Sequence, residues 1–230
     1  MRRSLRLLPA LLALAVAGPA PAQNVQNFKP TVGTWNYFTT EGARTARHLE
    51  FVPSLYLSYA KTPLAVRDAD GNIQETLVDH LATANLLLTM GFFDMLELGL
   101  DIPVAYVAGD DQLSGVAISG DGVAFGDIRV IPKVRLFGLT NKNKGQGFGM
   151  AISVPVELPT GDADKYFGND QVVANPKLIL EGRARLFSFA ANGGVRVRPD
   201  SQSVGIANAD GGLELGTEAT YSAAMGFGLG

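Results

Sequence analysis

The sequence predicts an all-β fold, an antiparallel up-and-down β-barrel of the transmembrane kind, on three observations. Eight segments of alternating polarity follow one another between His48 and Phe227, each about 10 to 15 residues long. One parity of each segment is almost purely aliphatic and aromatic, while the other mixes both signs of charge with Gly, Ala and Pro. The connections alternate between short turns and long polar loops, the asymmetry of a barrel that crosses a membrane.

Ahead of the first strand stand two other regions. Residues 1–22 read as an export signal: Arg2, Arg3 and Arg6 precede the apolar run Leu7 to Ala17, and Ala20-Pro21-Ala22 forms an A-x-A cleavage site. Residues 23–45, "QNVQNFKPTVGTWNYFTTEGART" with its last residue at 45, are polar and interrupted by Pro30, Gly33 and Gly42. They read as an irregular periplasmic lead-in, and 46–230 as the barrel.

The first strand, 48 to 60, sets Leu49, Phe51, Leu55, Leu57 and Tyr59 against His48, Glu50, Ser54, Tyr56 and Ser58. The second, 84 to 92, sets Leu86, Leu88, Met90 and Phe92 against Asn85, Leu87, Thr89 and Gly91. The third, 96 to 107, alternates Leu96, Leu98, Leu100, Ile102, Val104 and Tyr106 with Glu97, Gly99, Asp101, Pro103 and Ala105. The fourth is "GDIRVIPKVRLFG" (126–138), where Asp127, Arg129, Lys133 and Arg135 interleave with Ile128, Val130, Val134 and Leu136. The fifth, 150 to 158, carries Glu157 on its polar parity; the sixth carries Lys177, Glu181, Arg183 and Arg185. The seventh adds Arg196 and Arg198, and the eighth, from Leu213 to Phe227, adds Glu214 and Glu218.

Short turns are expected around "FFDM", "GLTNKNKGQG" and "FSFA". Long loops are expected elsewhere, among them "KTPLAVRDADGNIQETLVDH" (61–80) and "AGDDQLSGVAISGDG" (108–122). A soluble sandwich or lipocalin-like barrel also alternates, but its outward face carries a dense solubilising coat and its inward face must be packed. Here the charge-free parity runs for about nine residues per strand, the length a tilted strand needs to cross hydrocarbon.

With Glu50, the polar parity holds eight acids and eight bases: Glu97, Asp101, Asp127, Glu157, Glu181, Glu214 and Glu218, balanced by Arg129, Lys133, Arg135, Lys177, Arg183, Arg185, Arg196 and Arg198. Neighbouring strands are largely of opposite sign, so cross-strand pairs can neutralise charge inside a lumen. Such balance stiffens a narrow lumen rather than selecting an ion. Closing eight strands alone would place Glu214 and Glu218 beside Glu50, so about 12 strands are expected, of which eight are visible here.

Other functions find little purchase. The net charge is −3 without a basic block, which offers nucleic acid no surface. There is no cysteine, hence no disulfide, thiolate metal site, thiol nucleophile or lipidated cysteine. His48 and His80 are the two histidines, and no nucleophile elbow accompanies either, so no enzyme is expected. "RDADGNIQE" (67–75) and "ANADGG" (207–212) lack EF-hand spacing and read as Asp-Gly turns. "GVAISGDGVAFGD" lacks the lysine of a phosphate loop, so no cofactor or metal is expected.

The stretches "WNYFTTEGARTARHLEFVPSLYLSYAKTPL", "GFFDMLELGLDIPV", "GDIRVIPKVRLFG" and "VPVELPTGD" followed by "NPKLILEGR" resemble the N-terminal barrel region of OmpA-family cell-envelope proteins, particularly the kind found in myxobacteria. The spacing of G-D-x-x-x-x-x-K-x-R before L-P-T-G-D also resembles outer-membrane barrels associated with phenol degradation or transport. The resemblance implies a structural protein of the outer membrane, with lipid and the barrel-assembly machinery as partners. It further implies contact with peptidoglycan through a C-terminal domain outside these 230 residues. Passive passage of small solutes, as in a porin or a transporter of hydrophobic compounds, is the alternative. Two features depart from the family: neither its further strands nor its calcium-binding stalk is present, and the chain stops at "GFGLG" rather than on a terminal aromatic. The chain therefore reads as the leading part of a longer protein.

Overall fold

A computed structural model describes residues 26, 28–67, 73–108, 122–139, 146–162, 165, 167–169, 171–199, 202–204 and 213–228. Among these residues the strands are β1 (Phe51–Arg67), β2 (Ile73–Phe92), β3 (Leu96–Ala108), β4 (Gly122–Phe125), β5 (Arg129–Gly138), β6 (Gly147–Ser153) and β7 (Val156–Glu157). They continue with β8 (Val173–Ala174), β9 (Lys177–Ala184), β10 (Phe187–Arg196), β11 (Gln202–Val204), β12 (Leu213–Leu215) and β13 (Glu218–Phe227). Eight of them form one antiparallel path in the order β1-β2-β3-β5-β6-β9-β10-β13, with β4, β7 and β8 attached to its side, and the path curves into a half-barrel. β11 and β12 make a separate two-stranded sheet.

Local sequence explains where this pattern departs from a plain meander. The 61–80 stretch, expected as a loop, instead lengthens the first hairpin: Lys61 pairs with His80, Leu64 with Val78 and Ala65 with Thr76, with bulges between. Its alternation of Leu64 and Val78 with polar residues supports pairing, and Val78 is fully buried beside Leu81, Val107 and Phe167. In "VAFG" the Gly-rich loop before β5 supplies β4, whose Val123 and Phe125 lie opposite Tyr106 and Val104. The fifth segment splits at Pro155, which has no N–H to give to a ladder; β6 pairs with β5 before the break and β7 after it. The turn expected around "FSFA" falls two residues earlier, at Arg185 and Leu186.

Polarity divides between the two faces of the half-barrel. On the convex face stand Leu57, Tyr59, Leu86, Leu98, Tyr106, Ile152, Leu178, Phe189 and Phe227, with Leu57 at 75% and Tyr221 at 91% exposure. On the concave face Asp101 and Glu181 are wholly buried, and Glu97, Lys133, Arg129 and Glu157 nearly so.

What covers those charges is the chain ahead of β1. Residues 28–48 lie across the concave face, where Val32 packs with Leu87 and Ile131, and Ala43 with Leu139, Ala151 and Ile179. Glycines make room for it: a Cβ on Gly99 would overlap the Val32 side chain, and one on Gly91 would overlap the carbonyls of Ala46 and Arg47. Gly138 at the β5–β6 turn takes φ +73, where a side chain is strained, and an added Cβ would overlap the Phe148 carbonyl.

Candidate functional site: a charged lumen with a seated strap

Pleating brings the inward charges of adjacent strands into register. Asp101 of β3 sits opposite Arg129 of β5, and Glu97 opposite Lys133. Arg129 donates from Nε to Asp101 Oδ2 at 2.8 Å, and Lys133 Nζ stands 2.7 Å from Glu97 Oε1. Arg196 reaches Glu157 Oε2 at 2.8 Å, Arg183 pairs with Glu181 at 3.1 Å along β9, and Arg198 meets Glu218 at 2.6 Å. These ten residues pair on the concave face, Asp101–Arg129 and Glu97–Lys133 across neighbouring strands and Arg183–Glu181 within β9.

The other members of the expected network go elsewhere. Arg135 meets no acid of β3; it donates to the carbonyls of Gly138 and Leu139 at 3.1 Å and to that of Asp94 in the β2–β3 turn. It stands opposite Ala151 at the last paired position before the bulge, beside the β2–β3 turn. Arg185 is exposed in the β9–β10 turn, outside the lumen. Glu50 accepts the Arg47 N–H at 2.8 Å and closes the turn into β1. Lys177 pairs with Glu41 of the lead-in at 2.8 Å, not with a neighbouring strand. The side chain of Glu214 lies outside the described residues.

Asp127 serves as a knot. Its carboxylate accepts the N–H of Gly161 at 3.0 Å, the N–H of Asn169 at 2.7 Å and the Asn169 side-chain amide at 2.6 Å. Asp162 in turn accepts the Phe125 N–H at 2.8 Å, and Thr160 Oγ1 accepts that of Ile128 at 2.9 Å. The paired motifs G-D and L-P-T-G-D thus meet in space, folding the segment after β7 onto the start of β5. Gly161 leaves no space for a Cβ against the Phe167 carbonyl and Gly168.

The lead-in supplies site residues that local pattern left unassigned. Lys29 Nζ sits 2.7 Å from Glu157 Oε1, so Glu157 bridges Lys29 and Arg196. Arg129 donates to the Pro30 carbonyl at 2.8 Å. Glu181 Oε2 accepts the Ala43 N–H at 2.7 Å, and Glu97 Oε2 accepts that of Ala46 at 2.7 Å. Asn192 closes a two-bond clasp with the Glu41 backbone, accepting at 2.7 Å and donating at 2.8 Å. Gln26 donates to Asn85, which donates to Asp101, so one relay runs from the lead-in through β2 and β3 to Arg129 and back to Pro30.

The electrostatics follow from this packing. Burial pushes Lys29 down to about 8, with Arg196 and Arg129 adding to the shift and Glu157 opposing it. Burial would raise the Glu41 carboxyl, yet the charges of Lys177 and Lys133 outweigh it and hold Glu41 below the usual carboxylate range. Beside the lead-in remains a polar cavity of about 420 Å³, lined among others by Lys29, Glu41, Arg196, Arg198, Asn192 and Ser222.

The two histidines stand apart from one another. His48 stacks on Phe93 at 5.4 Å and accepts its N–H, whereas His80 shares a 2.6 Å hydrogen bond with the Tyr59 hydroxyl. Among the described residues no group of three or more His, Cys, Asp or Glu could hold a metal ion. Compared with protein-family models, curated proteins and solved structures, the chain matches none.

Proposed function

We propose that this wall belongs to an outer-membrane β-barrel of the OmpA-like envelope type, with a structural role and at most passive passage of small solutes. The observation that carries the reading is the inverted distribution of polarity. A convex face of leucine, phenylalanine and tyrosine is costly in water at roughly 25 cal/mol per Å² of apolar surface, and is the favoured surface in hydrocarbon. The paired charges on the concave side are what a lumen tolerates.

The edges support the same reading. β1 and β13 end the path, each with one neighbour among the described residues. A free edge leaves N–H and C=O groups that lipid cannot satisfy, so on this reading the half-barrel calls for further strands, about 12 in all being the expectation from the charges at the ends of the path. In the same reading 1–22 direct export, insertion uses the barrel-assembly machinery, and a domain beyond residue 230 would hold peptidoglycan. A porin-like role draws on the 420 Å³ cavity, whose polar lining suits a small solute rather than a hydrophobic one.

The test is to purify the chain from cell envelopes. A barrel requires detergent and migrates faster on a gel unheated than boiled. A protein soluble without detergent, with no such shift, would contradict the proposal.

A further inference from the structure

We propose that residues 28–48 are a detachable strap, seated in the lumen at neutral pH and released by acid while the strands of the wall stay paired. Three features of the seat point to this.

First, the strap closes its own backbone bonds. Thr31 donates to the Phe38 carbonyl at 2.8 Å, and Tyr37 and Thr40 exchange bonds at 2.8 and 2.6 Å. Among the described residues no backbone-to-backbone bond joins residues 28–48 to a wall strand; the first such bonds are at the root, Leu49 to Gly91 and Gly91 to Glu50. A segment outside the sheet ladder can leave without breaking it.

Second, carboxylates supply much of what fastens the strap, beside the Asn192 clasp, the Arg129 bond to Pro30 and the apolar seats of Val32 and Ala43. Glu181 and Glu97 accept from the Ala43 and Ala46 amides, Glu157 holds Lys29, and Glu41 is held by Lys177. These fastenings are charge-assisted, and Glu41, which belongs to the strap itself, is the one whose titration decides seating. Lys177 and Lys133 surround Glu41, Lys133 faces Glu97, Arg183 and Arg44 face Glu181, and Lys29, Arg196 and Arg129 face Glu157, with the acid Asp127 also near Glu157. Protonating Glu41 would leave Lys177 and Lys133 facing each other without it, which opposes the seated state.

Third, the sign agrees. Glu41 titrates lower when seated than free, so its support for seating is complete above its ordinary value of 4.5 and is lost as pH falls through the seated value. Lys29 titrates lower when seated, so its contribution to seating improves only as pH rises beyond about 8, and it offers nothing on the acid side. Acid is therefore the releasing direction.

The strap carries its own reporter. Trp35 is the one tryptophan of the chain, and it lies against the Arg44 guanidinium at 3.5 Å with Arg183 at 6.0 Å. The experiment follows Trp35 emission and its quenching by acrylamide from neutral pH down to about 3, below ordinary carboxylate values, in parallel with the strand signal in circular dichroism. The whole chain is used, in detergent or lipid. Release predicts a red shift and a multi-fold rise in quenching while the strand signal holds. Glu41→Gln should move the onset of quenching toward neutral pH with the strand signal intact. The proposal fails if Trp35 stays shielded to about pH 3, if its exposure coincides with loss of the strand signal, or if Glu41→Gln leaves the onset where it was. None of these readouts depends on the membrane reading, which fails separately in its own solubility test.

Discussion

Replacing Asp101 with Ala should destabilise the wall by about 3–5 kcal/mol, the range for removing one partner of a buried ion pair. Asp101 is wholly buried and answers two donors, Arg129 from β5 and Asn85 from β2 at 2.9 Å. Without it the Arg129 guanidinium keeps the Pro30 carbonyl as acceptor and only the charge of Glu157, which Lys29 and Arg196 already share, so a nearly buried cation is left poorly compensated. Urea unfolding in detergent or lipid, followed by the strand signal, measures the loss. Asp101→Asn keeps an acceptor and should cost less. Asp101→Ala with Arg129→Ala should cost less than the sum of the two single changes, because the second removes the charge the first has stranded. Additive losses would mean that the pair is not coupled.

The second large effect lies on the opposite face. Leu86 stands on the convex surface of β2, between Leu55 of β1 and Ile102 of β3, and is 43% exposed. In hydrocarbon, Leu86→Arg should cost about 2–4 kcal/mol, the depth-dependent cost of an arginine on the lipid face of a barrel near the midplane. At a water-facing position the same change should fall within about 0.5 kcal/mol of zero. Unfolding the variant from lipid vesicles decides between the two, and a near-zero cost would argue against an apolar surrounding for this face.

Much of the wall was legible because strand pairing has a period of two, and a two-faced environment writes that period into the sequence. Leu96 to Tyr106 against Glu97 to Ala105 is the clearest case, and β3 spans that stretch with the acids buried and most of the leucines outward. The pairing of Asp101 with Arg129 and of Glu97 with Lys133 also followed from alternation and strand order. Arg135 and Arg185 did not, because a bulge and a turn suspend the period locally. The extension of β1 and β2 was obscured by Lys61, Arg67, Glu75 and Asp79, which carry loop composition into a paired stretch.

The strap was the larger omission, for a physical reason. Residues 23–45 have no period, so nothing in their own pattern says where they dock; their contacts are long-range, between single amides and carboxylates that lie, as Ala43 and Glu181 do, 138 residues apart. A trace did exist on the wall. Gly91, Gly99 and Ala151 occupy the inward parity, and small residues there leave a gap that a further segment must fill. Asp127 shows the same limit, since its inward position reads as a lumen charge while its partners are backbone amides of a distant turn.

The account stands or falls on what the convex face touches, and one fluorescence measurement asks that directly. The variant Leu86→Trp with Trp35→Phe places a single indole on that face, while the unaltered chain carries its single indole in the lumen. In bilayers whose acyl chains carry bromine, a contact quencher, the variant's emission should fall sharply relative to unlabelled lipid and that of the unaltered chain should hardly change. Equal emission of the variant in both lipids would contradict a lipid-facing wall.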